Sequence, residues 1–131
     1  MAEDCPGREV FNHITSRWAM LIVVVLHDGP QRFHLIRDGI EGISEKMLSQ
    51  TLKTLARDGF VLRLVEPTVP PQVSYMLTPL GEDLAGHFRG LVQWLGNNID
   101  SILAAQRRHD KNVEARVGAR PPYSARNRPG S

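Results

Sequence analysis

Cysteine is nearly absent: the 131-residue chain has one, Cys5. A single thiol excludes an internal disulfide framework and a cysteine-based structural zinc site. The five histidines, His13, His27, His34, His87 and His109, show no metal-ligand spacing and read as surface or half-buried residues. There is no Gly-rich phosphate loop, and no Ser/His/Asp set carries the surrounding signature of an active site. The chain is therefore not expected to be an enzyme, and no cofactor or metal is expected. Long apolar runs are also missing. The longest, Trp18 to Leu26, has nine residues, whereas crossing a bilayer takes roughly 20. Glu3 and Asp4 stand where a secretory signal would carry positive charge. These absences point to a cytoplasmic protein with no membrane partner.

Hydrophobic residues make up 41% of the chain and aromatics 6%, a composition that supports one domain with a real core. The net charge is only +2, but it is unevenly placed. Residues 107–131 hold seven Lys/Arg against two acids, a net of +5, and residues 1–106 hold nine against twelve, a net of −3. Within that acidic part, residues 31–63 carry six basic and four acidic side chains. One positive working edge suits selective DNA binding better than non-specific coating.

The stretch Ser44 to Thr78 organises the chain. Ser44 is a good N-cap, its hydroxyl able to accept from a free first-turn N–H. Ile43 and Leu48 have the spacing of a hydrophobic staple. Leu48, Leu52 and Leu55 follow i, i+4, i+7, one buried stripe, and Asp58-Gly59 ends the helix. Lys46, Ser49, Gln50, Lys53 and Arg57 fall on the other side. A helix fits a major groove, and such side chains read base edges; an ordinary solvated face has the same composition. The residues that follow favour the first reading. Phe60 to Glu66 is β-branched and apolar, a strand. In Gln72 to Leu77, Val73, Tyr75 and Leu77 alternate with polar positions, a second strand. Pro67, Pro70 and Pro71 cannot donate ladder bonds, so Pro67 to Pro71 is the tip of a hairpin. A helix with a cationic outer face followed by a stiff-tipped hairpin is the plan of a winged helix-turn-helix.

Around this core, Cys5 to about Ile14 reads as a first helix with Pro6 in its first turn. Thr15-Ser16 caps a second, Arg17 to His27; its β-branched run lacks strand alternation, so helix is preferred. Arg32 to Gly39 is a short third helix with Phe33 and Ile36 inward, and Gly39 to Gly42 is the turn into the reading helix. Thr78 caps, and Pro79 opens, a last helix to about Arg108. Leu84, Phe88, Leu91 and Leu95 form its stripe, flanked by Val92, Ile99, Ile102 and Leu103. That stripe is broader than one small domain needs, which marks an interface. Residues 110–131, with three prolines and many arginines, bury too little to fold alone.

Several motifs recur in a specific order: Cys5-Pro6, Arg17-Trp18, Asp28-Gly29-Pro30-Gln31-Arg32-Phe33, Gly42-Ile43-Ser44, Lys46-Met47-Leu48-Ser49-Gln50, Leu52-Lys53, Asp58-Gly59, Val69-Pro70-Pro71 and Tyr75-Met76-Leu77-Thr78. Together, over roughly residues 5–106, they resemble the HxlR-type branch of the MarR-like winged-helix transcription regulators. His34 and Glu41 depart from the family's usual Asn and Pro.

The resemblance implies a mainly α fold with a small β-hairpin wing, an α+β winged helix-turn-helix whose first and last helices form a dimer interface. It divides the chain into a domain over 1–109 and a basic tail over 110–131. It implies a homodimeric regulator, more readily a repressor than an activator, on palindromic double-stranded DNA. Ser44, Lys46, Met47, Ser49, Gln50 and Lys53 on the reading helix would meet bases and phosphates. Arg32 and Arg63 would meet phosphates, and Val69, Pro70, Pro71 and Gln72 the adjacent backbone or minor groove. Val10, Leu84, Phe88, Leu91, Trp94, Leu95, Ile99 and Ile102 would join the subunits. Some members of the family sense oxidants or electrophiles through an N-terminal cysteine near Cys5, and a helix start favours a thiolate; many others have the cysteine without that role. The alternatives are a regulator answering to a small-molecule effector without thiol sensing, and a winged helix that binds RNA or protein.

Overall fold

The computed structural model describes residues 6–119. Their elements are α1 (Pro6–Ile14), α2 (Arg17–Leu26), β1 (Gln31–Arg32), α3 (Phe33–Gly39), α4 (Glu45–Arg57), β2 (Val61–Glu66), β3 (Gln72–Leu77) and α5 (Pro79–Ala119). The strands form an antiparallel sheet in the order β1-β3-β2. No single described helix is long and apolar enough to cross a membrane. The chain divides after Leu91 into two compact units.

The first unit holds the core. Ala19, Ile22, Val23 and Leu26 of α2, Leu48, Leu52 and Leu55 of α4, and Ile36, Val61, Leu77 and Ala85 are buried together. The β-branched run of α2 is helical because Ile22, Val23 and Leu26 share one inward face with Ala19. Burying each leucine of α4 contributes about 2 kcal/mol. An isolated helix of this length is marginal in water, so packing, more than propensity, holds α4 in place.

Its ends are closed as the residues predict. Ser44 Oγ accepts from Met47 N at 3.0 Å, and Ile43 and Leu48 are both in the core. At the other end Gly59 has φ +88°. Gly59 N donates to Ala56 O at 3.1 Å and Phe60 N to Leu55 O at 2.9 Å, the two bonds of a Schellman cap. The C-cap Asp58 also holds α1, through a 2.7 Å contact between its Oδ2 and His13 Nδ1. At the far side of the core, His27 Nδ1 approaches Glu82 Oε2 at 2.9 Å but finds no aligned hydrogen-bond partner. It is an ion pair only when the imidazole is protonated.

Two boundaries and one burial differ from the sequence reading. Arg32 does not open α3. It is extended (φ −77°, ψ 155°) and caps the helix without a side-chain bond. With Gln31 it pairs Ser74 and Tyr75 of β3, so the hairpin becomes a three-stranded sheet and one edge of β3 is satisfied. Two residues are too few for alternation to reveal a strand. Secondly, α5 does not stop near Arg108 but continues through Asp110 to Ala119, so this part of the expected tail is helix. Thirdly, Phe88, expected on the exposed stripe between subunits, is buried. It is 8% exposed and packed in the protomer's own core, because the first turns of α5 lie against that core through Ala85 and the half-buried Leu84. Cys5 and residues 120–131 lie outside the described residues.

Candidate nucleic-acid interface

At 3.6 residues per turn, α4 presents three strips. Leu48, Leu52 and Leu55 face the core. Lys46, Ser49, Lys53 and Arg57 form a second strip, exposed except for half-buried Ser49. Met47, Thr51 and Thr54 form a third, and exposed Gln50 lies on the border between the second and third. The cationic strip is thus a rigid surface, carried by a helix with buried leucines beneath it and a cap at each end. Arg37 of α3 hydrogen-bonds Glu45 in the first turn of α4 and Asp38 at 3.3 Å. Those bonds, to Glu45 first, raise the guanidinium further above its ordinary value. They join the two helices of the helix-turn-helix and leave Glu45 at the positive end of α4.

In the wing, the β2–β3 register runs from Val61↔Leu77 to Glu66↔Gln72. Alternation puts Arg63 in one row with Tyr75 and, through β1, Gln31. Arg63, Val69, Pro70 and Pro71 are exposed, and the Val69–Pro70 peptide is cis. Phe33 braces the sheet against α3, its ring 6.5 Å from that of Tyr75. Arg32 and Gln72, with Phe33, His34 and Val73, line a cleft of about 320 Å3 beside β1 and the start of β3. His34, noted from sequence only as a departure from the family's usual Asn, was not among the expected DNA-contacting residues; the β1–β3 pairing places it at this cleft. No group of three or more His, Cys, Asp or Glu among the described residues could hold a metal ion.

Of the side chains expected between subunits, Leu91, Trp94, Leu95 and Ile99 are exposed, and Val10 and Ile102 are half-buried. Further along α5, after the polar run Gln106 to Asn112, Val113 is half-buried and Val117 exposed.

Residues 13–102 match the HxlR-like helix-turn-helix family. The chain belongs to the HxlR family. The match takes in the reading helix and the whole wing and stops short of the last turns of α5. Among HxlR relatives, the uncharacterized HTH-type transcriptional regulator YtfH of Escherichia coli K12 is 49% identical over 105 residues, 80% of this chain and 83% of that protein. The solved structure of YtfH from Salmonella typhimurium superposes with a TM-score of 0.75 at 48% identity, covering 81% of this chain and 95% of that one. YodB from Bacillus subtilis, solved after diamide treatment, gives a TM-score of 0.61 at 38% identity, with 73% and 96% covered. This HxlR chain is therefore a winged helix-turn-helix transcription regulator, of a DNA-binding family and not an enzyme family.

Proposed function

We propose that the chain is a homodimeric repressor that binds a palindromic operator through α4 and the wing. The observation that carries this is the capped, core-anchored helix α4 with Lys46, Gln50 and Lys53 exposed on it. Met47, Ser49 and Gln50 approach base edges, Ser44, Lys46 and Lys53 phosphates and bases. Arg32, with Gln72 beside it, and Arg63 take phosphates, and Val69, Pro70 and Pro71 reach the flanking backbone or minor groove. The second subunit covers Leu91, Trp94, Leu95 and Ile99, and Val10, Leu84 and Ile102 join the contact, which removes exposed apolar side chains from water. A dimer on its operator represses by excluding polymerase. A binding isotherm on a palindromic fragment from upstream of the gene, against scrambled DNA, tests the reading. Equal affinity for both, or a monomeric mass in sedimentation, overturns it.

Residues 110–131 act as a basic appendage to the domain over 1–109, adding phosphate contacts without reading sequence. Each such contact contributes a slope of about −0.9 in log K against log salt. Removing residues 110–131, with five of the seven basic residues of the C-terminal stretch, is expected to reduce the salt slope and preserve the ranking of DNA sequences. A truncated protein with an altered ranking would show that the segment reads bases or belongs to the fold.

Cys5 senses oxidants in this reading. Its support is the likeness to YodB, which has been solved both reduced and after diamide treatment. A disulfide between subunits needs Cα atoms within about 7 Å; a sulfenic acid or mixed disulfide does not. Diamide is expected to lower operator affinity, and Cys5→Ser to abolish that response. Unchanged affinity after complete oxidation of Cys5, verified by mass spectrometry, would remove the redox role and leave DNA binding standing.

A further inference from the structure

The Arg17-Trp18 motif takes no part in the interface described above, yet the fold sets it beside the reading helix. Ser16 and Ala19, at the start of α2, line a groove with Asn12 of α1 and Met47, Gln50 and Thr54 of α4. The first turn of α2 therefore flanks α4. Trp18 also touches the turn that leads into α4. Its Cη2 atom lies 3.9 Å from where a Cβ on Gly42 would stand, two residues before the Ser44 cap. Trp18 is half-buried and packs against the core, so it is a fixed platform.

Arg17 is exposed, and its Cζ lies over the Trp18 ring, 4.7 Å from the centroid. That is cation–π range. The contact engages a ring face and no oxygen, so the five N–H donors of the guanidinium are left for an acceptor. It also restricts rotamer freedom that a loose surface arginine would lose on binding. Among the described residues, no carboxylate lies within ion-pair reach of Arg17. Two other arginines differ. Arg37 is bonded to Glu45 and Asp38, and Arg57 lies 3.8 Å from Glu9 and 3.9 Å from Asp58. Arg17 is a held fork whose charge is not neutralised, at the flank of α4.

What meets that flank follows from dimensions. A helix with its side chains is about 10–12 Å across, and the major groove is about 12 Å wide. A helix seated there fills the groove from wall to wall, and the walls are phosphate backbones. A guanidinium carried beside the helix, and not on it, meets a wall. Its planar fork matches phosphate oxygens in pairs. We propose that Arg17 is a further DNA-contacting residue, binding a backbone phosphate beside the bases that Met47 and Gln50 approach, and that Trp18 is its positioning residue. The proposal rests on the reading of α4 as the base-reading helix. Phosphate contacts carry no sequence information, so Arg17 adds affinity for any duplex without ranking sequences.

The test measures binding of the full chain to the upstream palindromic fragment and to scrambled DNA over a range of salt. Arg17→Gln is expected to weaken both about tenfold and to reduce the slope of log K against log salt by about 0.9 for each arginine seated. Arg17→Lys is expected to keep the slope and lose about threefold, because an ammonium lacks the fork. Trp18→Leu is expected to lose about threefold beside Arg17 and nothing further beside Arg17→Gln. On the DNA, single phosphates are replaced by neutral methylphosphonates. One position in each half-site is expected to cost the wild type about tenfold and Arg17→Gln nothing. Should circular dichroism show Arg17→Gln unfolded, Arg17→Lys takes its place, and its loss must vanish at that same methylphosphonate. Unchanged affinity and slope in Arg17→Gln, or a changed ranking of DNA sequences, would overturn the phosphate contact, as would the lack of any methylphosphonate position that is silent in the variant. An equal loss from Trp18→Leu in both backgrounds would overturn its positioning role. Failure of the DNA-binding reading shows separately, as no preference of the wild type for the palindromic fragment.

Discussion

Gly81→Ala is expected to destabilise the fold by about 2–3 kcal/mol, the upper part of the range that overpacking a filled interior costs. A Cβ at position 81 would stand 2.1 Å from Phe60 O and 3.1 Å from both Phe60 C and Leu77 Cδ2. The obstacle is backbone, so no rotamer change relieves it. Nor is that backbone free to retreat. Phe60 N is bound to Leu55 O in the cap of α4, and Phe60 O accepts from Thr78 N at 3.0 Å. Thr78 Oγ1 in turn donates to Gly59 O at 2.6 Å and accepts from Gly81 N at 3.0 Å. The end of the reading helix, the start of β2 and the start of α5 thus close on one another at Gly81. The ordinary gain from replacing glycine in a helix, about 1 kcal/mol, does not offset the clash. A fall in melting temperature of about 8–15 °C is expected. Gly86→Ala, also within α5 but with nothing within 4 Å of its Cβ, should leave stability unchanged or raise it. Equal melting temperatures for the two variants would show that α5 does not dock on Phe60 as described.

On DNA the largest effects are expected at Gln50 and Lys53, and they should differ in kind. Both are exposed on α4, one turn apart. A glutamine amide can pair two edge atoms of one base, whereas a lysine is a mobile point charge suited to phosphate. Gln50→Ala is therefore expected to weaken operator binding by about 1–3 kcal/mol and to relax preference at the base it reads. Lys53→Ala is expected to weaken operator and scrambled DNA alike and to flatten the salt slope by about 0.9, one phosphate contact. Competition binding across a set of operator variants at several salt concentrations separates the two. If neither substitution alters binding while the circular dichroism spectrum is unchanged, α4 does not present this face to DNA.

The residues alone determined the reading helix almost to the residue. Its leucine spacing, its Ser44 cap and its Asp58-Gly59 stop are local signals, each acting within a turn or two of chain, and local signals are what a sequence displays. The hairpin was legible for the same reason: period-two alternation and a proline-rich tip need no distant partner to be recognised. The same holds for the Thr78 cap of α5. The ordered motifs around these elements carried the family.

Tertiary structure decided what depends on distant pairs. Strand β1 exists because Gln31 and Arg32 meet β3 more than forty residues further on, and two residues carry no periodicity of their own. Phe88 looked like part of a free stripe because helical spacing reports which residues share a face, not how far along the helix the core reaches. Gly81 had no local signal, since its necessity arises from the carbonyl of Phe60 across a junction. The groove between the α1–α2 elbow and α4 was equally hidden: Asn12 and Thr54 are far apart in sequence and line it from facing elements only because His13 and the C-cap Asp58 hold α1 against the end of the reading helix.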